Sequence, residues 1–164
     1  MKKLIIFIGF PTSGKTTLGK SISLLLNLKF VDLDVVFQKI YILSPKIYIE
    51  KYGFPKYREI EYKLLKKYIE FDYDIISTGG GIVENHNSRK ILKNLNNVIY
   101  LIKDKELLRK DISKRFPNLY KESFDNLYER RKTYFELCSN FKYQIGHLSI
   151  KNTIYDISNK FDLF

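Results

Sequence analysis

The stretch Gly9-Phe10-Pro11-Thr12-Ser13-Gly14-Lys15-Thr16 satisfies the pattern G-x-x-x-x-G-K-[ST] without a mismatch and constrains the fold more than any other part of the chain. It follows Lys3-Leu4-Ile5-Ile6-Phe7-Ile8, an apolar run of strand length. It precedes Leu18, Ile22, Leu25 and Leu26, which are spaced for one face of a helix. Strand, glycine turn and helix therefore stand in the order a phosphate-binding loop requires. The glycines let successive backbone N–H groups turn inward around phosphate oxygens, and the helix start adds its own free N–H groups and partial positive charge. In this pattern Lys15 reaches the β- and γ-phosphates of a nucleotide and the Thr16 hydroxyl ligates Mg²⁺.

At 164 residues one domain is expected, too short for two nucleotide-fold halves. The lysines and apolar residues at the N-terminus mimic a signal peptide, but Gly9 to Thr16 interrupts the run and a first strand is the better reading. No apolar run approaches the length of a membrane span, so no membrane partner is expected. Cys138 is the one cysteine and has no internal disulfide partner, which points to a reducing, cytoplasmic setting. The net charge of +11 comes from lysines spread along the whole chain. Nucleic-acid binding needs such charge gathered on one face or tail, so the excess reads as compositional bias and no nucleic-acid partner is expected.

The order of the remaining elements carries the fold. Lys29-Phe30-Val31 enters a short strand finishing in Asp32-Leu33-Asp34, where alternation on an extended chain would aim both carboxylates at one region; a pair of turn or helix-capping aspartates is the other reading. Helices are expected over 35–41, over 47–52 after the start signal Ser44-Pro45, and from Tyr57 to Leu65, with Gly53 ending the second. Within the third, Arg58 and Glu61 are three apart, and an exposed ion pair of a few tenths of a kcal/mol is the default reading. Tyr73 to Ser77 is a third strand, and it runs into Thr78-Gly79-Gly80-Gly81; three glycines at a strand end argue for a close approach to backbone. A helix over 88–95, a strand over 97–101 and a helix over 105–112 follow. Next come a basic loop around Arg115-Phe116-Pro117 and a helix with Phe124, Leu127, Tyr134 and Cys138 toward the core. Phe141 to Ile145 or Leu148 to Ile150 gives the last strand, and Thr153 to Phe161 a closing helix. His86 and His147 stand alone, without metal-ligand spacing, and read as surface residues. Strands alternating with helices imply an α/β fold, a three-layer α/β/α domain around a five-stranded parallel sheet, in outline a P-loop kinase.

Taken together, the phosphate loop, Asp32-Leu33-Asp34, Gly53 to Glu61, Gly79-Gly80-Gly81, Arg115-Phe116-Pro117 and Arg130 to Tyr134 appear in the order of a known motif set. On these motifs the chain resembles the shikimate kinase family over nearly its full length. The corresponding family landmarks are the P-loop, D-x-D, G-E-x-x-F-R-x-x-E, a triple glycine, an R-P lid and R-x-x-x-Y. Three departures stand out: Phe54 replaces the family glutamate, Tyr57 replaces phenylalanine, and one extra residue separates Arg115 from Pro117.

The resemblance implies a P-loop NTPase of the nucleoside-monophosphate-kinase kind that transfers phosphate from ATP to the 3-hydroxyl of shikimate. It implies that ATP lies over Thr12, Ser13, Gly14, Lys15, Thr16 and Thr17, with Mg²⁺ held by Thr16 and Asp32. It makes Asp34 the residue that binds the attacking hydroxyl, either taking its proton or only orienting it, and makes Arg58 and Arg130 the grip on the shikimate carboxylate. Arg131 competes with Arg130, which is chosen because Tyr134 follows it at the family spacing. Gly79, Gly80 and Gly81 let the substrate lie against backbone, and Arg115 closes with a lid over about 110–123 and assists Lys15. The substrate segment is expected over about 33–62, and the protein is expected to act as a monomer. The alternatives are a related small-molecule or nucleotide kinase, and a non-catalytic nucleotide-dependent nucleic-acid binder.

Overall fold

In the computed structural model, which describes residues 4–117, 119–146 and 149–160, the apolar run before the glycine loop forms β1 (Ile5–Ile8), buried throughout. Its alternation feeds two cores. Ile5 and Phe7 belong to one, Ile6 and Ile8 to the other, so β1 is covered on both faces. It lies between β3 (Ile75–Ser77) and β4 (Val98–Ile102), with β2 (Phe30–Asp32) outside β3 and β5 (Phe141–Gln144) outside β4. All four pairings are parallel, and the sheet order is β2-β3-β1-β4-β5.

Parallel neighbours require crossovers, which the helices supply. On one face α1 (Lys15–Leu26) and α8 (Ile150–Lys160) bury Leu18, Ile22, Ile154 and Ile157 against Ile5, Phe7 and Ile99. The other face is covered by α4 (Phe54–Tyr68), α5 (His86–Lys93) and α7 (Phe124–Cys138), with α2 (Leu33–Tyr41), α3 (Pro45–Tyr52) and α6 (Lys105–Arg115) joining the same core. The five-stranded three-layer α/β/α architecture expected from the sequence is the one observed. The carboxyl ends of β1, β2 and β3 open on one side, where ligands of such sheets bind.

Some boundaries differ from expectation. Strand β2 stops at Asp32, and Leu33 and Asp34 already belong to α2. The reason is capping: the Asp32 carboxylate accepts from the backbone N–H groups of Asp34 (2.9 Å) and Val35 (3.1 Å), so helix starts where extended chain was expected. The two aspartates are thus related by a helix start rather than by strand alternation. Ser44 does cap α3, with Pro45 in its first turn, and Gly53 ends it. The last strand takes the first of its two expected positions, Phe141–Gln144. His86 is exposed at the start of α5, whereas His147, Leu148 and Phe161 lie outside the described residues.

A candidate active site at the carboxyl ends of the strands

The donor end is built by β1, the loop and α1. Gly14 adopts φ 86° as it caps α1, a conformation glycine takes without strain. Phe10, the second residue of the loop, is buried; it stacks on Tyr128 (5.0 Å between centroids) and meets Phe135 edge-on (5.2 Å), which ties the loop to α7. Lys15 is buried, and its ammonium donates to the carbonyls of Gly9 (3.0 Å) and Phe10 (2.7 Å) and to Ser13 Oγ (3.4 Å). Burial pushes its pKa down to about 8; Asp34 and Asp32 work against that shift, while Arg115 and Arg131 add to it. Thr16 Oγ1 donates to Asp32 Oδ2 at 2.5 Å.

A cleft of roughly 440 Å³ runs from this loop toward α4. Thr12, Gly14, Lys15, Thr16 and Thr17 line its donor end. Asp34, Arg58, Gly80, Gly81 and Arg115 line the rest. Ser13, within the loop, is buried, and Asp32 sits behind Thr16, lining a separate hollow with it. Gly79 packs behind the wall rather than on it: a β-carbon there would collide with the Glu61 carboxylate and come within 2.9 Å of Asp34 Oδ1. One on Gly80 would strike Pro11 of the loop, and one on Gly81 the guanidinium of Arg58. None of these three has the positive φ that demands glycine, so close approach is what requires them.

At the acceptor end Asp34 occupies the first turn of α2, and its Oδ1 accepts the hydroxyl of Tyr57 at 2.8 Å. Burial raises the Asp34 pKa, the neighbouring Asp32 raises it further, and the Tyr57 bond, Lys15 and Arg58 pull it back. Arg58 and Glu61 pair at 2.5 Å, but the pair is buried, with side-chain exposures of 11% and 5%, which corrects the expectation of an exposed pair. Burial raises the Glu61 pKa against the pull of Arg58, and the Glu61 charge holds Arg58 above its ordinary value although burial alone would lower it. The Arg58 guanidinium also lies over the rings of Phe54 (5.1 Å) and Tyr57 (5.5 Å). Phe54, which stands where a family glutamate was expected, stacks on Tyr120 (5.6 Å).

Helix α7 buries Leu127, Tyr128, Arg131, Phe135 and Cys138, a face rotated from the one expected. As a result Arg131, 2% exposed, is the guanidinium brought to the glycines: it donates to the Gly80 carbonyl (3.2 Å) and to Glu84 Oε1 (2.7 Å) and lies over Tyr120 (5.1 Å). Arg130, expected with Arg58 at the substrate carboxylate, is 40% exposed and held by Glu84 and Glu122, in a hollow that Arg58 and Arg131 also line. Glu84, positioned by the 3-10 turn Ile82–Glu84, keeps its carboxyl below the usual range because the bonds from Arg130 and the charge of Arg131 outweigh its burial.

Of the expected lid, residues up to Arg115 are the end of α6; the loop beyond brings Phe116, Leu119 and Tyr120 to the cleft, and Asn118 lies outside the described residues. Three participants were missed by sequence reading. Lys103, just past β4, donates to the Thr12 carbonyl (3.1 Å) and to Asp111 (2.6 Å), linking the loop to α6. Tyr120 and Glu84 were also missed; their neighbourhood to Arg115 and to the glycines was the signal available.

The donor set suits a nucleotide and a hard cation. Thr12 Oγ1 is buried at the loop without a hydrogen-bond partner, beside the free N–H groups of α1. Thr16 and Asp32 offer hard oxygens only, and no group of three or more His, Cys, Asp or Glu able to hold a metal occurs among the described residues. That combination fits Mg²⁺, which takes one or two protein oxygens and completes its shell with water and phosphate.

A parallel sheet in this order, with a G-x-x-x-x-G-K-T loop leaving its central strand and a carboxylate and guanidinium cleft beside it, defines a P-loop kinase fold. Residues 11–160 match the family profile described as "SKI: Shikimate kinase", and the chain belongs to the shikimate kinase family. It is 34% identical over 166 residues to the shikimate kinase of Dictyoglomus turgidum, covering 96% of each chain. It is 31% identical to the pentafunctional AROM polypeptide of Candida glabrata, with 99% of this chain matched to 11% of that polypeptide, so the chain spans about a tenth of the length of this relative. The solved shikimate kinase of Acinetobacter baumannii in complex with shikimate superposes with a TM-score of 0.86 at 22% identity, over 99% of this chain and 95% of that one, and shares its fold.

Proposed function

We propose that the protein phosphorylates the 3-hydroxyl of shikimate with ATP, giving shikimate 3-phosphate and ADP. The observation that carries this reading is that Lys15, Asp34, Arg58 and Arg115, drawn from four helices, line one cleft. ATP binds over residues 12–17, and Lys15 exchanges its bonds to the Gly9 and Phe10 carbonyls for phosphate oxygens. Thr16 and Asp32 are the residues for Mg²⁺, which when bound neutralises charge on the β- and γ-phosphates.

At the acceptor end Arg58, fixed by Glu61, grips the carboxylate of shikimate together with Arg131; the planar guanidinium fork suits that geometry. Arg130 supports Arg131 through their shared Glu84. Asp34 orients the hydroxyl. The oxygen of that hydroxyl forms a bond to the γ-phosphorus as the bond from that phosphorus to the bridging oxygen breaks, the electron pair leaves with ADP, and the hydroxyl proton passes to Asp34. The raised pKa of Asp34 makes it a better acceptor for that proton. Arg115 moves in with residues 110–123 to stabilise the transferring group and exclude water.

The chain works as one kinase domain, with residues 33–62 as its substrate segment, as a monomer in the cytoplasm, and without nucleic-acid or membrane partners. No helix among the described residues is long and apolar enough to cross a membrane. ADP release by purified protein with Mg-ATP tests the activity. It should depend on shikimate and not on gluconate, nucleosides or nucleoside monophosphates; release that ignores shikimate would defeat the proposal.

A further inference from the structure

Tyr57 is buried, 3% exposed, yet its phenol is not idle: the hydroxyl donates to Oδ1 of Asp34 at 2.8 Å. A buried phenol needs a partner. Of the polar groups nearby, Glu61 gives its Oε2 to Arg58 while its buried Oε1 takes no hydrogen bond, Lys15 is held by the loop carbonyls, and it is Asp34 that takes the bond. The ring is held as firmly as the hydroxyl, edge-on to Phe37 (5.0 Å) and beneath the Arg58 guanidinium. Asp34 itself is short and sits on the first turn of α2, where two χ angles set the direction of its carboxylate. With Oδ1 occupied, Oδ2 has no hydrogen-bond donor among the described residues.

We infer that Tyr57 is a positioning residue of the phosphoryl transfer: its hydroxyl locks the Asp34 carboxylate through Oδ1 and so leaves Oδ2 as the oxygen that meets the acceptor hydroxyl. This inference rests on the acceptor role given to Asp34 above. The bond is made to a charged group by a donor already fixed in place, so it contributes alignment without needing to touch the substrate. Losing it frees the carboxylate to turn, which lowers the fraction of bound substrate in reactive geometry while leaving the grip of the arginines on the substrate intact.

The test is a cycle of Tyr57→Phe and Asp34→Asn, read in kcat and in KM for shikimate and ATP. Tyr57→Phe keeps the ring that packs on Phe37 and should fold normally. The expected result is a fall in kcat of about tenfold with both KM values within about twofold. In the Asp34→Asn background the same change should have no further effect on the residual turnover. Unchanged kcat in Tyr57→Phe, or an equal loss in both backgrounds, would overturn the inference, the latter because the tyrosine would then act on packing alone. A second readout needs no activity: in protein labelled with ¹³C at tyrosine Cζ, the resonance missing from Tyr57→Phe should shift in Asp34→Asn. If it does not move, the bond is absent and the inference fails, whatever the acceptor proves to be; if it moves but no acceptor supports turnover, the kinase reading is what fails.

Discussion

The donor and acceptor ends of the cleft are built on opposite plans. At the donor end one contiguous segment, Gly9 to Thr16, supplies loop, lysine and hydroxyl, and its geometry follows from backbone conformation: a strand end, a glycine with positive φ and a helix start. At the acceptor end α2, α4, the glycines after β3, α7 and the loop after α6 each give one or two side chains. There the geometry is set by packing of side chains on one another, as in the Arg58–Glu61 pair and the Phe54–Tyr120 stack. A site written in backbone tolerates sequence change everywhere except in its motif. One assembled from distant side chains can be retuned at single positions.

The contrast is open to measurement. Lys15→Ala removes the one cation buried within the donor loop, and turnover should fall by about a thousandfold with the fold retained; circular dichroism and ADP release together check this. A loss of tenfold or less would mean the loop does not carry the transferred charge. Next in size is Glu61→Ala, which leaves the Arg58 charge buried and unpaired and should destabilise the protein by about 3–5 kcal/mol in urea unfolding. A change below about 1 kcal/mol would place the pair among ordinary surface ion pairs.

Arg131→Lys should raise KM for shikimate about tenfold or more, whereas Arg130→Lys should change it by less than about threefold, because only Arg131 reaches the Gly80 carbonyl. The reverse ranking would restore Arg130 as the inner residue. The smallest expected effect is on pH. The Lys15 ammonium, with its pKa pushed down to about 8, is charged below that pH and neutral above it, so nucleotide binding should be pH-independent near 7 and weaken above about 8. The limiting slope is about tenfold per pH unit. Calorimetric titration from pH 7 to 9 checks the slope, and Lys15→Ala should lose it.

The same contrast decides what could be read from sequence. The place of the donor loop, between a strand and a helix start, was legible, because a contiguous motif on a strand and a helix leaves little freedom. The sheet and its helices followed from alternating periodicities. Asp32 fitted a strand end and a helix cap alike, and its carboxylate caps α2, so an extended segment through Asp34 gives way to a helix start, a competition between local hydrogen bonds that periodicity does not register. Arg130 and Arg131 are adjacent, and the rotation of α7 separates them: burial of Leu127, Tyr128 and Phe135 turns residue 131 inward. The Arg58–Glu61 spacing was visible, but its burial depends on α4 lying against the glycines, which no local pattern reveals.

The absence of room between Gly80 and Pro11 limits how this molecule can be remodelled. Where these two turns touch, the wall is already main chain against a proline ring, so trimming side chains there cannot enlarge the chamber. Engineers seeking a bulkier alcohol would have to carve elsewhere along the lining, at residues such as Ile49 or Leu119 that carry side chains to trim.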